Sequence, residues 1–175
     1  ARLHGNGSKR PLLLMAHLDV VTVDPEKWSF PPFGGTVDDQ WVYGRGAVDD
    51  KDNLVASLMA MLLLKRSGVE LDRDVIFLAE SGEEGGVQWG VEFMTSQHFD
   101  AIDAEYCLAE GGGVARENDQ SLFAGIQSGE KKRRTAVLTV NGVAGHGSVP
   151  TRNNAVVRLG QAISALAEWQ EPISL

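Results

Sequence analysis

The sequence predicts an α/β domain with a mostly parallel sheet flanked by helices, followed by the start of a smaller α+β domain. Three observations predict it. Apolar runs at 11–16, 74–79 and 104–109 read as buried strands, because a strand covered on both faces loses its apolar/polar alternation. Helical patterns follow the first two runs, and strand–helix alternation is the signature of a parallel sheet. Beyond about residue 131 the texture changes to one half-exposed alternating strand and one helix.

In order along the chain, 11–16 (PLLLMA) runs directly into His17-Leu18-Asp19, polar groups at the carboxyl end of a strand. Residues 28–35 (WSFPPFGG) form a Pro/Gly-rich aromatic loop, and 36–43 has strand character before the turn Gly44-Arg45-Gly46. Leu54, Leu58, Met61 and Leu62 then recur at i, i+4, i+7 and i+8, one apolar helical face. Asp50 or Asp52 can cap its start and Gly68 ends it. The second strand, 74–79, leads into Glu80-Ser81-Gly82-Glu83-Glu84-Gly85-Gly86, and a helix is expected at about 87–97. The third strand, 104–109, ends at Glu110 and three glycines. A strand is expected at 133–141 (RRTAVLTVN), a loop at 142–150, and a helix at 153–169 with Ala155, Leu159, Ile163 and Leu166 on one face. The boundary falls at 131/132, and the second domain is expected to be truncated, since roughly 40 residues with one strand and one helix cannot bury a core alone.

Bulk properties narrow the function. Hydrophobic residues make up 43% of the 175, enough to form a core. Sixteen basic against 24 acidic side chains give a net charge of −8, which argues against nucleic acid as a partner. No apolar run approaches the ~20 residues that span a bilayer, so no membrane partner is expected. One cysteine, Cys107, excludes an internal disulfide framework and leans toward a reducing, cytoplasmic setting. No signal peptide is visible, and the chain opens at Ala1 without an initiator methionine and closes at Leu175 inside a helical pattern. A piece of a longer protein is the expectation, and localisation is not readable from it.

The chemistry-bearing residues gather where strands end. His17, Asp49, Glu83, Glu84 and Glu110 all follow apolar strands or sharp glycine turns, and in open α/β sheets ligands bind at the carboxyl edge. Their nitrogen and oxygen donors suit zinc. Asp19 lies two residues from His17, on the same side of an extended backbone, placed to accept the second N–H of a metal-bound imidazole. Each residue also has a bland reading. His17-x-Asp19 can be a solvated strand end, Asp49 or Asp50 a helix cap, Glu110 a surface acid, and His146 in Gly145-His146-Gly147-Ser148 an exposed loop histidine. Glu83-Glu84 is the most informative pair, because adjacent carboxylates repel unless a cation or proton relieves them. One could bind metal while the other takes a proton from water.

Taken in order, His17-Leu18-Asp19-Val20-Val21, Trp28 with Pro32-Phe33-Gly34-Gly35, Gly44-Arg45-Gly46-Ala47-Val48-Asp49-Asp50-Lys51, Glu83-Glu84-Gly85-Gly86, Glu110-Gly111-Gly112 and Gly145-His146-Gly147-Ser148 resemble the co-catalytic zinc peptidases. That family includes acetylornithine deacetylase, succinyl-diaminopimelate desuccinylase, aminoacylase, glutamate carboxypeptidase and carboxypeptidase S. The resemblance covers nearly the whole chain. It implies a metal-binding catalytic domain at 1–131, lacking its first strands, and the start of a lid and dimerisation domain at 132–175. It implies two zinc ions, with cobalt or manganese as substitutes, and a homodimeric parent joined through the lid. His17, Asp49, Glu84 and Glu110 would be metal ligands, with Asp49 bridging and its peptide bond to Asp50 cis. Asp19 would orient His17, Glu83 would be the general base, and His146 would stabilise the oxyanion, often across the dimer interface. Arg152 is a candidate anchor for the substrate carboxylate. The expected reaction is hydrolysis of an amide bond beside a free carboxylate, in an N-acyl amino acid or a short peptide. The Glu110-Gly-Gly-Gly context leans toward the carboxypeptidase S and N-acyl amino acid hydrolase branch.

The sequence departs from the family in two ways. No residue matches its distal second-metal histidine, since His4 precedes the first strand and His98 follows the helix after Glu84. Asp52 stands where many relatives have glycine. Two rival functions are a non-catalytic binding relative, in which a base such as Glu83 has no purpose, and a nucleotide-binding α/β domain. The latter needs a Gly-rich loop after its first strand, where this chain has His17-Leu18-Asp19.

Overall fold

The computed structural model describes residues 1–130, 135–149, 151 and 154–170. They fall into two units, Ala1–Gln127 and Ser128–Leu175. In chain order the first unit holds strands β1 (Arg2–Leu3), β2 (Leu12–His17), β3 (Thr36–Val37) and β4 (Val42–Tyr43), then helix α1 (Lys51–Ser67). Strand β5 (Val75–Glu80), helices α2 (Val91–Gln97) and α3 (Phe99–Ile102), and strands β6 (Tyr106–Leu108), β7 (Gly113–Glu117) and β8 (Gln120–Gly125) complete it.

The main sheet has the order β1-β5-β2-β6. β2 runs parallel to both neighbours, and β1 adds an antiparallel edge, so the sheet is mixed. The β2–β5 register runs from Leu12 opposite Val75 to His17 opposite Glu80. Both strands therefore end at one level, which puts His17 at the carboxyl edge. Successive side chains of a strand point to opposite faces. Leu13 and Ile76 share one face with Ile102 of α3, and Met15, Leu78, Met94 and Ala104 pack against them. Leu14 and Ala16 are buried on the other side, α1 packs on β2 and β5, and Met61 is its buried residue. Each such side chain contributes about 1.5–3 kcal/mol on burial, so strand position is set by packing on both faces.

An acidic hub ties the N-terminal segment to the start of β5. Asp74 accepts from Arg2 Nε at 2.7 Å and from the Gly5 amide at 2.9 Å, and its carboxylate meets His4 Nδ1 at 3.2 Å. The Gly5 amide, then Arg2, hold its carboxyl below the usual range.

Several elements differ from the sequence reading. The strand expected at 36–43 is a hairpin of two short strands, Thr36 opposite Tyr43 and Val37 opposite Val42. Asp38 makes the turn, accepting from the amides of Gln40 and Trp41 and from the Tyr43 hydroxyl. The single helix expected at 87–97 is a 3-10 turn, Val87–Trp89, followed by α2. Gly90 breaks it: a Cβ there would lie 1.9 Å from the Ser81 carbonyl oxygen, so the chain passes too close to β5's exit for any other residue. β1 and the β7–β8 hairpin were not anticipated.

In the second unit, helix α4 (Ala155–Glu168) is capped by Asn154, whose side chain accepts from the Val157 amide at 2.8 Å. Of its expected apolar face, Ala155 and Leu159 are half-buried, whereas Ile163 and Leu166 are exposed. The strand expected at 133–141 does not form across 135–141, and residues 131–134 lie outside the described part. A strand needs a neighbour for its amide and carbonyl groups, and the described residues of this unit contain no other strand. Val137 and Val143 are accordingly 82% and 97% exposed.

Candidate metal centre

The site begins at the last residue of β2. His17 is 2% exposed, and its two ring nitrogens face different partners. Nδ1 lies 2.9 Å from the Asp19 backbone carbonyl. A carbonyl only accepts, so the ring proton sits on Nδ1 and the Nε2 lone pair points outward. It points at carboxylates: Asp49 Oδ1 is 2.9 Å away and Glu110 Oε2 is 3.5 Å away.

These three donor atoms lie within 4.8 Å of one another. A neutral imidazole lone pair facing two carboxylates is repulsive unless positive charge lies among them. The local electrostatics register that demand. Burial pushes the His17 pKa down, but the bonds to Asp19 and Asp49 and the charges of Glu83 and Asp49 raise it overall. Burial, then the charges of Asp49, Asp50 and Glu83, raise the Glu110 carboxyl. Nitrogen and oxygen ligands about 2.0–2.2 Å from a tetrahedral zinc stand about 3.3 Å apart. The two His17 distances bracket that value, so this donor set fits a divalent cation.

Asp50 holds the centre together from below. It is 2% exposed, and its Oδ2 accepts from the His17 amide at 3.2 Å and from Asn53 Nδ2 at 3.4 Å. The peptide bond between Asp49 and Asp50 is cis, as the resemblance implied. Asp50 sits at the N-cap position of α1 yet makes no capping bond; its carboxylate is spent on β2 instead. The sequence alone offers Asp50 as a cap, and the doubled Asp just before a helix is the available signal of a further role.

Asp19 meets the His17 ring as expected, but through its backbone. Its carboxylate lies 3.7 Å from His17 Nδ1, so its backbone carbonyl, not its side chain, orients the ring. The carboxylate reaches across to the exit of β5, accepting from the amides of Gly82 at 2.8 Å, Glu83 at 3.2 Å and Glu84 at 3.0 Å. Burial raises its pKa, but those three amides outweigh it and leave the group below its usual value. The turn they define needs glycine: Gly82 has φ +84°, and a Cβ would lie 2.3 Å from the Gly86 oxygen.

Glu83 and Glu84 therefore share a loop pinned by Asp19. Glu83's charge is felt at His17 and Glu110. Glu84 is not among the three converging donors, so of the four expected ligands the described residues bring together His17, Asp49 and Glu110. A cavity of about 410 Å³ opens beside them, lined by Asp50, Asp52, Asn53, Ala109 and Glu110 among others. In the second unit, His146 Nδ1 lies 2.8 Å from the Ser148 hydroxyl. Arg152 lies outside the described residues.

Comparison with known proteins gives a consistent picture. Residues 13–170 match the family model described as peptidase family M20/M25/M40. The chain is 34% identical over 170 residues to a probable carboxypeptidase S-like 2 of Dictyostelium discoideum, covering 91% of this chain and 32% of that protein. It is 33% identical over 171 residues to the human N-fatty-acyl-amino acid synthase/hydrolase PM20D1, covering 95% and 34%. The chain thus spans about a third of the length of these curated relatives. Among solved structures, it is similar to the M20 family metallo-carboxypeptidase Sso-CP2 from Sulfolobus solfataricus. There the TM-score is 0.53 and the identity 29%, over 65% of this chain and 26% of the other.

Proposed function

The chain belongs to peptidase family M20/M25/M40, and from that premise we propose that its parent protein hydrolyses an amide bond beside a free carboxylate. The substrate is an N-acyl amino acid or a short peptide, cut by a deacylase or carboxypeptidase reaction. The observation that carries this reading is the convergence of His17, Asp49 and Glu110 at the carboxyl edge of the sheet. Relatives named as a carboxypeptidase and as an N-fatty-acyl-amino acid hydrolase support the reaction class.

His17, Asp49 and Glu110 hold one cation in this reading, and Asp49 with Glu84 contributes to a second. Two zinc ions are the proposed complement, with cobalt or manganese as substitutes. When bound, zinc supplies Lewis acidity that polarises the carbonyl and makes water a nucleophile near neutral pH. Glu83 accepts the water's proton and returns it to the leaving amine. His146 donates to the oxyanion that develops on the substrate. Asp19 keeps Glu83 in register by holding the loop amides, and Asp50 keeps His17 in register through its backbone. Residues 1–131 are then the catalytic domain and 132–175 the start of a lid through which the parent dimerises. Arg152 is a candidate anchor for the substrate carboxylate.

The test uses the full-length protein and a panel of N-acyl amino acids and C-terminal dipeptides. Glu83→Ala is expected to lower kcat by about 10²–10⁴-fold, the usual worth of a general base, while metal content stays at the wild-type level. Wild-type turnover in that variant would overturn the assignment of the base.

A further inference from the structure

We propose that Ser148 is a positioning residue that fixes the tautomer and aim of His146, so that its Nε2–H is the donor presented to substrate. The inference rests on the reading of His146 as the oxyanion donor and extends it to a second residue.

The geometry is contained within four residues. The Val149 amide donates to the His146 carbonyl at 2.9 Å, which closes a turn. The turn folds Ser148 back over the ring, and both of its polar groups meet the same nitrogen. The Ser148 hydroxyl oxygen is 2.8 Å from His146 Nδ1, and the Ser148 amide nitrogen is 3.3 Å from it. A backbone amide only donates, so the Nδ1 atom facing it presents a lone pair. The hydroxyl then completes the arrangement by donating to that lone pair as well. With Nδ1 serving as acceptor, the proton of the neutral ring resides on Nε2. Among the described residues Nε2 meets no hydrogen-bond partner, which leaves it available to a substrate oxygen.

This pairing mirrors the one at His17 with the sign reversed. At His17 a carbonyl fixes the proton on Nδ1 and frees the Nε2 lone pair for a cation. At His146 two donors fix the lone pair on Nδ1 and free the Nε2–H for an anion. In both cases the partner of the non-reacting nitrogen selects the chemistry of the other. The spacing also explains why a hydroxyl serves two residues beyond the histidine. A carboxylate there would accept from Nδ1, and an alanine would leave only the longer amide contact.

The experiment uses full-length protein with ¹⁵N-labelled histidine, with the His146 resonances assigned by their loss in His146→Gln. Wild type is expected to show a single tautomer with the proton on Nε2 and Nδ1 as a hydrogen-bonded acceptor. In Ser148→Ala both nitrogens should move toward values averaged over two tautomers, with kcat down about tenfold and KM little changed. Ser148→Thr, which restores a hydroxyl, should recover both. A wild-type ring with its proton on Nδ1, or unchanged spectra and kcat in Ser148→Ala, would overturn the proposal. Full activity in His146→Gln would instead overturn the oxyanion assignment, and the tautomer measurement stands independently of it.

Discussion

The exit of β2 and the turn at His146 each fix one histidine, yet they are held in opposite ways. Around His17 the fixing contacts span the sequence: the Asp50 carboxylate holds the His17 amide from 33 positions away, and Asp19 holds the loop amides from 63 to 65 positions away. Around His146 and at the start of α4 the contacts run over two or three positions. The first region is specified by tertiary structure and the second by local turn chemistry. Precise placement of cation ligands demands the former, because donor atoms from three separate elements must converge within a few ångströms. A single hydrogen-bond donor can be aimed by its own turn.

Breaking the keystone of the first region should have the largest effect on folding. Asp19→Ala leaves three loop amides without their charged acceptor, and bonds to charged groups contribute about 1.5–3 kcal/mol each, without simple additivity. The expected loss is about 3 kcal/mol in denaturant unfolding of the full-length protein, and hydrogen exchange should quicken at Gly82, Glu83 and Glu84 together. Exchange confined to β2 would show that the two strand exits are not coupled through Asp19. The second region offers the smaller counterpart. Asn154→Ala removes the α4 cap and should cost about 1 kcal/mol. Faster amide exchange should be confined to the first turn of α4, with β2 and β5 unchanged. A comparable effect on the β2 amides would mean that the two regions share more than local structure.

What was legible in the sequence follows the same division. The parallel strands β2, β5 and β6 could be read because each is a short apolar run; β2 and β5 are largely buried, whereas β6, expected buried, is an exposed edge strand. Helix α1 could be read to its end, where Gly68 adopts the left-handed conformation at φ +65°. The donors His17, Asp49 and Glu110 were legible because each directly follows such a run or a glycine turn. The β7–β8 hairpin had a signal that went unread: Asn118 and Asp119, at φ +48° and +63°, are the pair of positive-φ residues that a two-residue hairpin turn requires. The break at Gly90 had only the glycine itself as a local signal; its cause is a carbonyl on Ser81, brought close only by the fold. The same holds for Asp19. Its spacing from His17 pointed to the ring, which its backbone carbonyl does meet, whereas its carboxylate's partners are amides far along the chain. Alternation at 133–141 reads as a strand in the sequence, but 135–141 form none, and the described residues of that unit hold no other strand to pair with.

Every proposed role requires the carboxyl edge of this sheet to be a cation site built on His17. Zinc titration of the metal-stripped full-length protein, in wild type and in His17→Ala, addresses it most directly. The expected result is that wild type binds two zinc ions per chain and that His17→Ala weakens one of them by at least about a hundredfold, since even partners of ligands are worth about 10–100-fold. Equal zinc affinity and stoichiometry in the two proteins would contradict it.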